Sequence, residues 1–550
     1  MTTTTAAPPP VEGAPAAPPP GSGSGKVRAG ILLSRIAGLV RERVFAQYFG
    51  TSLYADVFRA GLRLPNLLQN LLGEGTLSAS FIPVYAELLE QKRNEEAGRV
   101  AGAVFALLLA LAGALTLVGV LGAPIMVRLF LPGFTGERQA LTITLVRILF
   151  PMTGLLVLSA WALGILNSHR HFFLPYFAPV LWNVAIIGAF LLCGGVLDMA
   201  SADLVLAVGV GALLGGFLQF LVQLPGVLRL ERGLKIRWDL KLQGVRDAVR
   251  NASDAIVGRG VVQLSGYIDG VMASVLAVGA VAAIGCAQTI YMLPVSLFGM
   301  AVAAAELPEL SRQRNAAVQV LQERTSAAMR RVAFYVVPTF VAFVVLGDVW
   351  VAALYQTGRF GRNETLLVYV VLVGYAVGLL ASTTTRLFSS ALFAMRDTAT
   401  PKRIAIIRVV VSSVLSFILM VQFEPIPQIG LSAGVFGELR VGGLPLGPVG
   451  LALGAGVSSW LEWVLLRRAL RKQIGSFGVG AVRLVQMFGA SGAGAAAGWG
   501  ARLVLPPVHP LVTAAVVGAA FGAVYLGITA ALGVEDARSL TGKLTRRLRR

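Results

Sequence analysis

The chain has 550 residues, 56% of them hydrophobic and 13% charged, with a formal net charge of +20. Its mean hydropathy is +0.75. Soluble domains carry about 25% charged residues, so composition excludes a soluble enzyme and a disordered chain and leaves a polytopic membrane protein. A spanning barrel alternates apolar and polar residues. Here the apolar runs are continuous, as in 101-AGAVFALLLALAGALTLVGVLGAPIMVRLF-130. The expected fold is therefore all-α, with spans of about 20 residues each.

Residues 1–25 are mostly Pro, Ala, Gly, Ser and Thr and are expected to form a disordered tail with no signal-peptide character. An N-terminal bundle is expected over 26–232, with six spans near 27–49, 54–87, 100–130, 139–167, 172–197 and 202–228. A second bundle over 233–422 has five, near 247–279, 281–311, 328–356, 364–394 and 402–422. Three more, near 447–470, 481–504 and 510–533, fill 423–534, and 535–550 is a basic tail. That makes about fourteen spans. Lys and Arg crowd the loops of one side, while the opposite loops hold Arg138, Arg359, Arg362, Arg440 and Arg502. The positive-inside rule then puts both termini in the cytoplasm and accounts for the net charge without nucleic acid.

The bundles look duplicated. Leu64-Pro65 precedes a run to Phe81-Ile82-Pro83, and Leu293-Pro294 precedes one to Glu306-Leu307-Pro308. Two similar bundles around a central path are a common transporter plan. Cys193 and Cys286 stand alone in apolar runs, and His169, His171 and His509 form no ligand cluster, so no metal or cofactor is expected. No phosphate-cradling loop with its lysine and no nucleophile triad occurs, so catalysis is not expected.

Ionisable residues within the spans carry the functional signal, because a charge at bilayer depth needs a partner or a cavity. The first two spans contain Arg35, Arg41, Glu42, Arg43, Asp56, Arg59, Arg63 and Glu74. Helical spacing puts Asp56, Arg59 and Arg63 on one face, so Asp56 is expected to pair with Arg59 and leave Arg63 for an anion. Glu74, about five turns after Asp56, returns to that face, and Pro65, Gly73 and Gly75 are expected to bend the helix between them. Arg35 and Glu42 share a face, with Arg41 pointing elsewhere. Arg259, Asp254 and Asp269 charge the seventh span. A central cationic cavity suits an anionic, phosphate-bearing substrate.

The stretch 34-SRIAGLVRERVFAQYFGTSLYADVFRAGLRLPNLLQNLLGEGTLSASFIPVYAE-87 resembles the opening of the MurJ (MviN) lipid II flippases of the multidrug/oligosaccharidyl-lipid/polysaccharide exporter superfamily. Shorter similarities follow in order at 164-GILNSHRHFFLPYFAPVLWN-183, 219-QFLVQLP-225, 354-LYQTGRF-360 and 396-RDTATP-401. The resemblance implies alternating access in the bacterial inner membrane, moving undecaprenyl-pyrophosphate-linked disaccharide-pentapeptide to the outer leaflet. It implies lipid II and membrane lipids as partners, with cell-wall synthesis proteins beside them. By position it implies substrate contacts at Arg35, Arg41 and Arg63, and gating or ion-pair roles at Glu42, Asp56, Glu74 and Arg386. Gln69 and Thr289 stand where relatives have arginines, and Met292 where they have an acid; Arg259 and Arg59 are candidate replacements. The 402–422 span has no Asp or Glu to match a sodium site. The alternatives are another exporter of the superfamily or a non-transporting cell-wall scaffold.

Overall fold

The computed structural model describes residues 24–538 except 232–233, 240, 313–317 and eight positions between 427 and 442. At 24–28, 67, 68, 71, 254–265 and 308 it describes the backbone alone. Of the expected tails at 1–25 and 535–550, residues 1–23 and 539–550 lie outside the described residues, and Ser24 and Gly25 belong to the first helix instead. The chain divides into two compact units.

The first unit runs to Ala282 and includes Thr357–Arg359. It contains α1 Ser24–Phe49, α2 Leu53–Leu72, α3 Glu74–Glu90, α4 Asn94–Phe130 and α5 Gly136–Ser168. These are followed by α6 Phe173–Ala189 with a π-helical turn at Phe190–Val196, α7 Ser201–Leu221, α8 Leu224–Leu230 and α9 Gln243–Ser274. One apolar core gathers Phe45, Phe49, Phe58, Leu145, Leu149 and Phe190. A second gathers Phe81, Tyr85, Val100, Trp161 and Val245. On the other side of α4, Leu117, Leu121 and Ile125 repeat every fourth residue and are exposed. That stripe is suited to lipid. Although α9 was expected to open the second bundle, it packs on α2, α3 and α4.

The second unit comprises Ala283–Gln356 and Phe360 onward. Its helices are α10 Ala280–Pro294, α11 Ala301–Arg312, α12 Val318–Tyr355, α13 Arg362–Ala376 and α14 Leu379–Ala394. α15 Ala399–Phe423, α16 Gly447–Ile474, α17 Ala481–Val504 and α18 Pro510–Ala531 complete it. Residues 280–282, the first of α10, belong to the first unit. A short ribbon pairs Arg440–Val441 with Leu444–Pro445. Phe334, Val337, Leu346, Val517, Phe521 and Tyr525 form one core; Leu387, Phe388, Leu392, Leu466 and Leu470 form another.

Among the described residues nine helices or helix runs are long and apolar enough to cross a membrane, and α13 with α14, bent by 44°, makes a tenth candidate. The chain is an all-α polytopic membrane protein. The expected count of fourteen is not reached by that measure. Helices stand at the four remaining positions, α1, α2–α3, α9 and α17, but the first three carry charges and α17 is rich in Gly and Ala.

Two glycines fix a close approach in the first unit. Gly50 and Gly358 both have positive φ, which a side chain disfavours. A Cβ on Gly358 would collide with the Gln47 carbonyl. The Arg359 amide donates to that same carbonyl at 3.0 Å. Gly358 and Arg359 thus supply a backbone dock for the end of α1.

Candidate functional site

The second span breaks where sequence put a flexible residue, but not at its proline. Pro65 lies inside continuous α2, while Gly73 is extended (φ −78°, ψ −154°) and separates α2 from α3. The glycine is needed for space: a Cβ there would collide with the Gln69 carbonyl. The upstream piece presents Asp56, Arg59 and Arg63, and Glu74 starts the downstream piece.

Asp56 is fully buried. Its partner is not Arg59, as expected, but Arg138, whose Nη2 donates at 2.6 Å. The Gly279 and Ala282 amides also donate to Asp56, each at 2.7 Å. These amides lie at the start of α10, where a helix leaves N–H groups unpaired and favours a negative charge. One carboxylate therefore ties together α2, α5 and the first turn of α10. Arg138, expected to be a loop cation, is instead 5% exposed and sits 3.6 Å over the Phe134 ring.

Arg59 donates to Glu42 at 2.7 Å, and Arg41 donates to the other oxygen of Glu42 at 2.8 Å. Arg41 therefore does not point elsewhere; it shares the Glu42 carboxylate. Its guanidinium also lies 4.8 Å from the Trp182 ring on α6, and that of Arg59 lies 4.9 Å from Phe45. The carboxylate and the rings hold both cations in fixed orientations, and the trio still carries one positive charge. A guanidinium has five donors in a rigid fork, so Arg41 keeps donors beyond the one on Glu42.

Arg63 was expected to be free for an anion. It donates to the Gly266 carbonyl of α9, and the Tyr267 hydroxyl donates to the Arg63 carbonyl at 2.9 Å. Gly266 and Gly270 leave room for its guanidinium to lie along α9. Arg35 is exposed on α1. Glu74 is exposed at the start of α3. The side chains of Arg259 and Asp254 lie outside the described residues. Arg386 belongs to the second unit, where it is half-buried on α14. Near it the Tyr291 and Ser382 hydroxyls share a 2.6 Å hydrogen bond. The Thr289 hydroxyl donates to Gly285 of its own helix at 2.9 Å and supplies no cation.

Several groups escaped the sequence reading. Arg138 was one. Arg408 and Glu462 form an ion pair at 3.4 Å between α15 and α16, and each interrupts an apolar run visible in the sequence. The Tyr85 hydroxyl donates to Glu231 at 2.6 Å and lies 2.9 Å from His169 Nε2. Burial pushes the His169 imidazole below its usual range, with Glu231 acting against that and His171 adding to it. No three of His, Cys, Asp and Glu converge to hold a metal ion among the described residues.

Fold and site define a polytopic membrane transporter-like protein with a fixed, net cationic polar centre in its first unit. The fold is similar to that of a solved lipid II flippase MurJ in an inward closed conformation. The TM-score is 0.71 at 20% identity, covering 92% of this chain and 99% of that one. It is also similar to an inward-facing multidrug resistance MATE family transporter of the MOP superfamily (TM-score 0.65, 18% identity, 82% of this chain and 97% of that one).

The family model described as lipid II flippase MurJ matches residues 45–506. Lipid II flippase MurJ of Burkholderia cenocepacia is 32% identical over 452 residues, 80% of this chain and 82% of the relative. The probable lipid II flippase MurJ of Haemophilus influenzae is 30% identical over 464 residues, 80% and 84% of the two chains. The chain belongs to the MurJ lipid II flippase family.

Proposed function

We propose that this protein is a lipid II flippase that carries undecaprenyl-pyrophosphate-linked disaccharide-pentapeptide from the inner to the outer leaflet of the bacterial cytoplasmic membrane. The observation that carries this reading is the family match along residues 45–506. The positive surplus of the Arg41–Glu42–Arg59 trio is the kind of site a pyrophosphate favours. In this reading Arg35 and Arg41 contact the headgroup and Arg63 steadies α9 beside them. Glu42 and Arg59 orient Arg41, Asp56 holds the start of α10, and Glu74 and Arg386 serve the gate. Arg259 stands in for the arginine absent at Thr289. Both termini face the cytoplasm, transport runs by alternating access without catalysis, and cell-wall synthesis proteins are its neighbours.

Complementation tests the reading. The gene should support growth of a bacterium depleted of its own flippase and return lipid II to the outer leaflet. Growth failure at normal membrane expression would refute it. Orientation is checked separately: a cysteine at Lys241 should resist an impermeant label in intact cells and one at Gly434 should react. The scaffold reading draws on Gln69 and Thr289 in place of arginines. It requires Arg35→Ala and Arg41→Ala to complement fully.

A further inference from the structure

A cavity of about 440 Å³ lies wholly within the second unit, where the α12–α13 and α17–α18 connections meet. Its size falls within the range of small-ligand sites. Its charged lining is Asp348, Arg362 and Arg502, and Pro506 and Pro507 form a stiff apolar wall. The backbone aims one of these groups deliberately. α12 kinks at Leu346 (φ −126°, ψ 17°), and the Val344 carbonyl accepts from the Tyr369 hydroxyl at 2.6 Å. Asp348, just past the kink, accepts from Arg502 at 2.7 Å. That bond orients the Arg502 guanidinium and leaves it further donors.

Arg362 is the unusual member. It is the first residue of α13, where the helix dipole disfavours a cation. It is exposed and has no ion pair among the described residues. The nearby Glu364 turns to its own helix end, where one of its oxygens accepts from the Gly361 amide at 2.9 Å. Two guanidiniums and one carboxylate leave the cavity with one positive charge, matched to one phosphate monoanion.

The surroundings point to a lipid as the source of that phosphate. Val504 at the end of α17 is 86% exposed and Leu511 at the start of α18 is 50% exposed. Trp499, just before the end of α17, is also exposed at 55%. Exposed tryptophan beside apolar helix ends marks the headgroup level of a bilayer, and at that level a guanidinium faces headgroup phosphates, which it binds by charge-assisted hydrogen bonds. We propose that this cavity binds the phosphodiester of an anionic phospholipid, with Arg362 and Arg502 on the phosphate and the acyl chains along the outer ends of α17 and α18. The proposal is independent of the transported substrate.

Native mass spectrometry of the full chain tests it, with phosphatidylglycerol, phosphatidylcholine and inorganic phosphate as probes. Phosphatidylglycerol should be retained over phosphatidylcholine. Arg362→Gln should weaken that retention about tenfold or more, as expected for losing a charge-assisted hydrogen bond, and Arg362→Lys should weaken it less. Arg502→Gln should act in the same direction, but it also strands Asp348. Arg362→Gln, at an exposed and unpaired residue, therefore carries the test, with an unchanged melting temperature as the folding check. Unchanged phosphatidylglycerol retention by a folded Arg362→Gln protein overturns the proposal. Equal retention of phosphatidylcholine overturns it too, as does displacement by equimolar inorganic phosphate, which would mark a free-anion site.

Discussion

The two units solve the problem of intramembrane charge differently. In the first, Asp56 is fully buried and bonded to Arg138 and to two backbone amides. In the second, Arg408 and Glu462 pair at 3.4 Å, and the Arg408 side chain keeps 36% of its exposure. Its Nε is buried without a hydrogen bond. Asp56 has its lone pairs filled from three directions and acts as a fastener. Glu462 is met by one side chain at longer range, so its pair can part at lower cost. The same contrast appears in the backbone. Pro65 leaves α2 intact and the break comes at Gly73, whereas Pro294 ends α10 and a π-helical turn follows at Val295–Met300. Similar Leu-Pro sequences therefore sit in different surroundings: α2 packs on α5, and the turn at Val295–Met300 packs on α14.

The largest expected effect tests the fastener. Arg138→Ala should destabilise the protein by about 3–5 kcal/mol, since it strands a buried carboxylate, and should abolish complementation. Asp56→Ala with Arg138→Ala should cost less than the sum of the singles, which melting in detergent will measure. Additive losses would mean that the two side chains do not act as a pair.

Next comes Arg41. Arg41→Ala should lower transport by about ten- to a hundredfold, the equivalent of a charge-assisted hydrogen bond of about 1.5–3 kcal/mol, with little change in melting temperature. Arg41→Lys should recover part of the loss, because it keeps the charge without the planar fork. A large melting shift would recast Arg41 as part of the fastener.

Glu462→Gln in the second unit should cost about 1–3 kcal/mol, less than Arg138→Ala. The paired change Arg408→Met with Glu462→Leu should be near neutral, as replacement of ion pairs by apolar groups often is. A cost for Glu462→Gln equal to that of Arg138→Ala would erase the contrast between the units.

The smallest effects lie in loops. Burial raises the Asp397 carboxyl, but the Thr400 amide and hydroxyl, then Gln473 and the Ala399 amide, hold it below its usual range. Its contribution is thus present above the unfolded carboxylate pKa and lost as pH falls through the lowered folded value. Asp397→Ala should cost about 1 kcal/mol at neutral pH, as for lost helix caps, and less in acid. The signs at His169 lead to the same direction by another route. Its folded value is lowered, so the neutral form is favoured. The stability it contributes is present above the unfolded imidazole value and declines as pH falls toward the folded one. His169→Gln should flatten that decline in a pH series of melting curves.

The membrane class, the helical spans and the crowding of charge into the first two of them were legible from composition and continuous apolar runs, because burial in lipid constrains every residue of a span. The break near Gly73 was legible as well, because a glycine inside a helical run marks a point where the backbone can approach closely. Pairings were not. Helical spacing grouped Asp56, Arg59 and Arg63, yet Asp56 chose Arg138, 82 residues away, Arg59 chose Glu42 on α1 and Arg63 chose Gly266 on α9. Helical periodicity says which residues share a face and nothing about the face opposite. The sequence by itself therefore determined the solvent of this protein, its helices and where its charges are concentrated. Tertiary structure decided which charges cancel and which remain for a ligand, because an ion pair is settled by contacts between segments far apart in the chain.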